Sequence, residues 1–210
     1  MSDYQFNPTD AAAADNFHSR IEEKGQYLGM FTRAEAVVSD KGTKGIDFSF
    51  KAKSGETADY LSIWTNKKDG TKLPGFSLVM AIMACLKVQS LTSSTGVVEK
   101  WNKDQQQKVK ETVNIYSELM NKPIGLLIYM EENSYNGKMN WRPVIAAPYN
   151  EQGYTASEIV KRSKDATTLP KMLAALRDKT LKTGVAKQPA TDGGFDQSEN
   201  PGADLEDFQF

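Results

Sequence analysis

The chain has 210 residues, of which 39% are hydrophobic and 10% aromatic, and its formal net charge is −1. This composition suits one globular domain, while a single Cys and a single His exclude an internal disulfide and argue against a structural zinc site. No apolar run reaches the roughly 18 residues of a membrane-spanning helix, and the first residues lack the features of a secretion signal, so we expect a cytoplasmic protein.

The first third of the chain predicts an extension followed by three antiparallel strands. Residues 1–23 are polar and Ala-rich, with a short helix expected at 11–23. In the second strand Ile46, Phe48 and Phe50 alternate with polar residues, so one aromatic face should point into the core. The three predicted strands, separated by Gly-containing turns, cover residues 28–38, 46–51 and 58–65.

The rest of the chain predicts helices around one further hairpin. Thr155 and Glu158 match a capping box, which indicates that a helix begins there. The predicted elements are a helix at 76–88, an irregular stretch at 91–98, a polar helix at 102–120, a strand at 124–131, a hairpin loop at 133–138, a return strand at 139–147 and a helix at 169–181.

Three strands, a helix and two strands form the element order of an OB-type barrel. The predicted fold class is therefore mainly β with added helices (α+β), built on a five-stranded OB-fold. We expect an N-terminal extension over 1–23, an OB-fold nucleic-acid-binding domain over 24–187, and a flexible acidic tail over 188–210.

The third predicted strand carries the best candidate binding surface. If Leu61 and Ile63 face the core, Tyr60 and Trp64 lie on the open face. Aromatic rings flanked by Lys are what a single-stranded nucleic acid requires, because bases stack on rings while ammonium groups hold phosphates. The alternative is that Tyr60 and Trp64 belong to the core. The Lys residues near this strand are Lys51, Lys53, Lys67, Lys68 and Lys72.

Two further groups are candidates for nucleic-acid contacts. Long hairpin loops frame the binding cleft of OB barrels, which favours Tyr135, Lys138, Trp141 and Arg142. An exposed turn aromatic is the alternative for Tyr135. The remaining candidates, on the first strand, are Tyr27, Phe31 and Arg33.

The end of the chain differs in charge from the rest. Residues 191–210 contain six acids and no Lys or Arg, and they end in Phe210. Such a segment cannot bury enough apolar surface to offset its ordering entropy, so we expect disorder. The whole chain has 26 basic and 27 acidic side chains, so the remainder has an excess of about five positive charges. A basic body suggests an anionic ligand, with which the tail could compete.

Enzyme motifs are absent from the sequence. There is no Walker A pattern, dinucleotide glycine fingerprint or nucleophile elbow. Cys85 lies in an apolar run, where an inert buried thiol is expected, and His18 lies in a polar segment. The spacing of the scattered Asp residues does not indicate a metal site. We therefore predict a protein that is not an enzyme.

Several segments together resemble bacteriophage single-stranded DNA-binding proteins with an OB-fold core. The similarity lies in residues 38–50, 58–65, 69–75, 124–127 and 157–158, and in the acidic tail with its aromatic tip. Bacterial tails have Pro before the final Phe, where this chain has Gln209, which points to a phage-specific partner. The tail residues that would bind this partner are Asp204, Leu205, Glu206, Asp207, Phe208 and Phe210.

The resemblance implies binding of single-stranded DNA without strong sequence preference. It also implies protection of replication, recombination and repair intermediates, recruitment of partner proteins through the tail, no catalysis and no required cofactor. A phage-encoded protein of this kind would act in the host cytoplasm, with or without forming a homo-oligomer. The alternatives are a single-strand annealing or recombination mediator, a small metal-dependent nuclease, and a protein–protein adaptor.

Overall fold

The computed structural model describes residues 20–102, 106–135 and 138–181, which form a mainly β structure with a few helices. This agrees with the predicted α+β class. In chain order the elements are β1 (Gly25–Val38), β2 (Lys44–Ala52), β3 (Thr57–Asn66), α1 (Pro74–Leu86), β4 (Ser94–Asn102), β5 (Gln107–Ile115), a 3-10 turn (Ser117–Leu119), β6 (Pro123–Tyr135), β7 (Lys138–Tyr149), α2 (Ala156–Lys161) and α3 (Thr168–Ala175).

The strands form one antiparallel sheet with β1 at its centre. Strand β2 pairs with both β1 and β3. On its other edge β1 pairs with β6 from Gly25 to Met30, and with β5 through Glu35 and Ile115. Two hairpins, β4–β5 and β6–β7, extend the sheet. Among the described residues no ladder joins β3 to β7, so the sheet is not closed into the predicted five-stranded barrel.

The core lies between one face of β1–β3, the first half of β6, and α1. Phe31, Phe48 and Phe50 are fully buried, and the rings of Phe31 and Phe48 are 4.4 Å apart. The predicted core face of the second strand is confirmed. Helix α1 begins with Pro74, whose fixed φ suits the first helical position, and contributes Ile82 to the same core. The alternation of apolar residues in the strands thus fixes which sheet face packs on the core.

The opposite face is called the open face below: Tyr60 and Ser62 are exposed on it, whereas its charged residues Arg33, Glu35 and Asp47 are buried.

The region between α1 and β6 differs from the prediction. Instead of an irregular stretch and a polar helix it forms the β4–β5 hairpin. The polar composition of this region masks a period-two signal, since Val109, Val113 and Ile115 alternate with polar neighbours. Their β-branched side chains favour extended backbone, and the partner strand provides the hydrogen bonds.

Helix α3 is also shorter than predicted. It ends at Ala175, because residues 178–181 run beside β6 instead. The backbone N–H of Lys179 donates to Met130 O at 2.9 Å, and that of Glu132 donates to Lys179 O at 2.8 Å. Residues 1–19 lie outside the described part, whereas residues 20–23, predicted to be helical, are not helical. Arg20 forms an isolated β-bridge with Thr57.

Helices α2 and α3 are joined through one buried carboxylate. Glu158 accepts hydrogen bonds at 2.8–2.9 Å from Thr155, through its N–H and hydroxyl, and from the N–H groups of Thr167 and Thr168. Burial raises the pKa of Glu158, but these hydrogen bonds outweigh it and lower the pKa to about 2. The predicted capping box is therefore confirmed, and it also fixes the start of the next helix.

Within the described residues, none of the helices has both the length and the apolar character needed to span a membrane.

Candidate nucleic-acid interface

The open face of β1–β3 holds the aromatic residues that the sequence singled out. Leu61 and Ile63 are buried, whereas Tyr60 is 57% exposed and Trp64 is partly buried. Strand register places Ser62 opposite Asp47, and Trp64 opposite Gly45. Tyr60 therefore does not belong to the core, and Trp64 lies at the edge between core and solvent.

A β-bulge directs Tyr60 outward. Between the pairs Phe48–Leu61 and Phe50–Ala58, two residues of β3 oppose the single Ser49 of β2. Tyr60 has a φ of 59°, in the left-handed region that residues other than Gly rarely adopt. Bulges commonly redirect a side chain near a functional site. The unusual backbone thus accounts for a large exposed aromatic ring in the middle of a strand.

Beneath Tyr60 lies a buried cluster of charges. The guanidinium of Arg33 is 5.3 Å from the centroid of the Tyr60 ring, within the range of a cation–π interaction. Arg33 forms an ion pair with Asp47, and its Nη1 is 4.0 Å from Glu35 Oε2. The Ser62 hydroxyl donates to Asp47 Oδ1 at 2.6 Å. Arg33 itself is only 5% exposed, so a direct contact with nucleic acid, as predicted for it, does not hold.

The acidic members of this cluster are shielded from water. Burial raises the pKa of Asp47 above its ordinary value, and the Ser62 hydrogen bond and the charge of Arg33 offset only part of this. Lys100, from β4, donates to Glu35 Oε1 at 2.7 Å and lies 3.3 Å from Glu111 Oε2. The β4–β5 hairpin is thereby fixed beside the open face.

Trp64 rests on a glycine. A Cβ placed on Gly45 would lie 2.9 Å from Cε3 of the indole and 2.7 Å from the carbonyl oxygen of Ile63, so only Gly fits there. The indole Nε1 is buried and has no hydrogen-bond partner among the described residues. A buried N–H without a partner costs about 1–3 kcal/mol. The position of the indole over Gly45 is therefore easier to change than that of an ordinary core side chain.

The predicted lysines occupy two ends of the open face. Lys67, Lys68 and Lys72 are exposed in the β3–α1 connection, which begins after Asn66, two residues beyond Trp64. The side chain of Lys68 packs over Gly42 in the β1–β2 turn, and Lys72 Nζ lies 4.3 Å from the centroid of the Phe76 ring.

Lys51 and Lys53 lie toward the opposite end of β2. Lys51 is exposed, and because it is four residues beyond Asp47 on β2 it points to the same face of the sheet. Lys53 Nζ lies 3.6 Å from Glu151 Oε1 and forms an ion pair with this residue of the turn before α2. Lys51 therefore extends the surface that contains Tyr60, whereas Lys53 is engaged elsewhere.

The second group of candidates lies apart from Tyr60 and Trp64. Trp141 is 49% exposed. It pairs with Glu132 of β6, four residues past Ile128, where β6 pairs with Gly25 at the start of β1. Arg142 Nε donates to Glu131 Oε2 at 2.9 Å. Lys138 is exposed on the same strand, and the side chain of Tyr135 lies outside what the structure describes. These residues are at the opposite end of β1 from Trp64 and do not form one surface with it.

Trp141 instead lines a separate pocket of about 330 Å³. Its other lining residues are Arg20, Ile21, Glu22, Met130 and Pro143.

Of the β1 candidates, only Tyr27 remains accessible. Phe31 is fully buried in the core, so the prediction of a nucleic-acid contact is wrong for it. The Tyr27 side chain packs partly against the core, and its hydroxyl donates to Glu23 O at 2.8 Å. The predicted contacts from the first strand are therefore reduced to one residue near its beginning.

Sequence reasoning missed the polar side chains beneath Tyr60. Asp47 and Ser62 had a usable signal, because each alternates with buried apolar residues on a predicted strand. Glu35 and Lys100 had none, since their pairing depends on a hairpin that the sequence did not reveal. The tail residues Asp204, Leu205, Glu206, Asp207, Phe208 and Phe210 lie outside the described residues, as does His18.

The described residues were also compared with the requirements of a metal site. In the described ranges, no group of three or more His, Cys, Asp or Glu side chains is arranged to hold a metal ion. The Cys85 thiol is buried, and burial raises its pKa to about 12, which keeps it in its unreactive protonated form.

No protein-family model matches this chain, and a search of curated proteins returns no significant match. The arrangement of side chains on the open face is therefore the basis for a functional assignment.

Proposed function

We propose that this chain is a single-stranded DNA-binding protein that binds without strong sequence preference. The observation that carries the proposal is Tyr60, an exposed aromatic ring held above Arg33 on the open sheet face. Trp64 follows four residues later along β3, and exposed lysines occupy both ends of the face. Flat rings bordered by cations match the requirements of a single strand, whose bases are free to stack.

The strand pairings support an OB-type arrangement. In an OB barrel three strands form a meander, and after a helix two further strands return to the first strand. Here β1, β2 and β3 form the meander, α1 follows, β6 pairs with β1, and β7 pairs with β6. The β4–β5 hairpin is then an insertion after the helix. The proposed site lies on the β2–β3 face, where OB folds bind oligonucleotides.

The proposed mechanism combines stacking with phosphate neutralisation. Each base stacked on Tyr60 or Trp64 would contribute about 1–3 kcal/mol. Lys51 at one end of the face, and Lys67 and Lys68 at the other, would replace counterions along the DNA backbone. Affinity should then fall steeply with salt, by about 0.7 in the logarithmic slope for each phosphate contact.

We also propose that the acidic tail recruits partner proteins. The six acids of residues 191–210 and their aromatic tip suit a basic, partly apolar docking site. When DNA is absent the tail would compete for the same lysines, and DNA would release it. The protein would act in this way on replication, recombination or repair intermediates in the cytoplasm of a host cell.

The test is a fluorescence-anisotropy titration of labelled oligo-dT, whose signal does not depend on the protein's own tryptophans. Tyr60→Ala and Trp64→Ala should each weaken binding by about 5- to 150-fold, the loss of one stacked base. Trp141→Ala is the matched comparison, because this exposed indole lies at the opposite end of β1. It should bind nearly as the wild type does.

Three further assays complete the experiment. The proposal predicts weak binding of duplex DNA and no acceleration of strand annealing. It also predicts that labelled strands stay intact when incubated with magnesium or manganese. Failure of the wild type to bind oligo-dT, or full affinity of both Tyr60→Ala and Trp64→Ala, would refute it.

A further inference from the structure

The position of Arg33 is unusual for a cation on a face that binds an anion. It is only 5% exposed, and two carboxylates, from Asp47 and Glu35, lie against its guanidinium. A phosphate outside the protein cannot reach a side chain buried in this way. The charge of Arg33 is also balanced locally, so it adds little to the field that attracts DNA.

The guanidinium carbon of Arg33 lies over the Tyr60 ring, 5.3 Å from the ring centroid. Because Arg33 is buried and Tyr60 is 57% exposed, we infer that this contact is on the inner side of the ring. Arg combines a permanent charge with a flat surface that stacks on aromatic rings, which Lys does not offer. Asp47, which also accepts from Ser62, and Glu35 hold the two terminal nitrogens of the guanidinium, whereas its Nε has no hydrogen-bond partner among the described residues.

Tyr60 needs such support. It stands on a bulge with a left-handed φ of 59°, and its side chain is 57% exposed. An exposed ring without a support can rotate among several positions, and a base that stacks on it must first fix one of them. Contact with Arg33 on the inner side leaves the outer side of the ring open.

We propose that Arg33 is a positioning residue, which holds the Tyr60 ring from beneath so that a base stacks on its outer side. Asp47 and Glu35 fix Arg33 in that place and neutralise it. This inference rests on the proposed function, and it separates Arg33 from the exposed lysines. Arg33 adds to affinity through Tyr60 and adds nothing to the dependence of affinity on salt.

The decisive experiment measures oligo-dT affinity of Arg33→Met at several salt concentrations. We expect a loss of about 3- to 30-fold, the range of a partly desolvated cation–π contact, with an unchanged salt slope. Lys68→Ala is the matched variant, whose slope should become shallower by about 0.7. In a Tyr60→Ala background, Arg33→Met should cause no further loss.

Two outcomes would overturn the proposal. A shallower salt slope in Arg33→Met would mean that Arg33 contacts phosphate, and full additivity with Tyr60→Ala would mean that it acts independently of that ring. If Arg33→Met does not fold, as judged by circular dichroism, the same titrations are made with Arg33→Lys. It keeps the charge for the two acids but removes the planar surface, so affinity should fall with the slope unchanged.

A separate measurement distinguishes this inference from the proposed function. In protein labelled with 3-fluorotyrosine, the ¹⁹F resonance of Tyr60 is assigned with Tyr60→Phe. Replacing Arg33 should move and broaden that resonance in the absence of any DNA. A resonance that stays in place would refute the positioning role, even if the protein binds DNA. If the wild type binds no DNA but the resonance moves, the structural contact stands and the proposed function fails.

Discussion

Replacing Gly45 by Ala tests whether the glycine beneath Trp64 determines the binding surface. The added methyl group would lie 2.7 Å from Ile63 O, 2.9 Å from Trp64 Cε3 and 3.2 Å from Trp64 Cα. Two of these atoms belong to the backbone of β3, so the strand or the indole must shift. Overpacking of this kind typically costs about 1–3 kcal/mol of folding free energy.

The same shift should weaken DNA binding. If the indole leaves its place over Gly45, one stacked base is lost, and oligo-dT affinity should fall by about 5- to 150-fold. Urea unfolding measures the first effect and anisotropy the second. Gly25→Ala is the matched control, because its added Cβ would have its nearest neighbours, in the Tyr27 ring, at 3.5–3.7 Å, an ordinary contact distance. If Gly45→Ala matches Gly25→Ala in both assays, the assigned role of Gly45 is wrong.

Two further predictions concern the C-terminal part of the chain. Glu158→Gln should lose about 1.5–3 kcal/mol at neutral pH, because an amide cannot serve all the donors that meet this carboxylate, whereas Glu151→Gln on the surface should lose little. The pKa of Glu158 falls from 4.5 to about 2 on folding, so its contribution is complete above pH 4.5 and disappears as pH falls toward 2. A difference from wild type that stays constant over this range, in urea unfolding, would contradict this account. Deletion of residues 191–210 should raise affinity for oligo-dT, because the tail's six acids no longer compete for the lysines, and a variant with those acids replaced by amides should do the same. Unchanged or weaker binding by both would exclude the competition.

Local patterns predicted the elements that depend on local chemistry. The alternation of Ile46, Phe48 and Phe50 identified a strand and its buried face, and Thr155 with Glu158 identified a helix start. In both cases neighbouring residues contain the whole signal, since side-chain period and capping are set within a few positions.

The errors arose where distant residues decide the structure. Residues 107–115 are polar enough to suggest a helix, yet they pair with Ser94–Asn102 because that strand satisfies their backbone groups. Residues 178–181 leave the helical path since the open edge of β6 accepts their hydrogen bonds. Phe31 is a candidate contact by sequence but lies in the core, and a register shift in β1 between Phe31 and Arg33 changes which residues of this strand face the core.

The sequence by itself determined the mainly β class, the core face of the first strands and the aromatic candidates on β3, because periodicity along one segment is enough for each. Only the tertiary structure decided that Arg33 lies buried beneath Tyr60, that Lys100 joins a hairpin to Glu35, and that Trp141 is distant from Trp64. Those relations depend on strand register and on a bulge, which bring together residues far apart in the chain and leave no periodic trace in it.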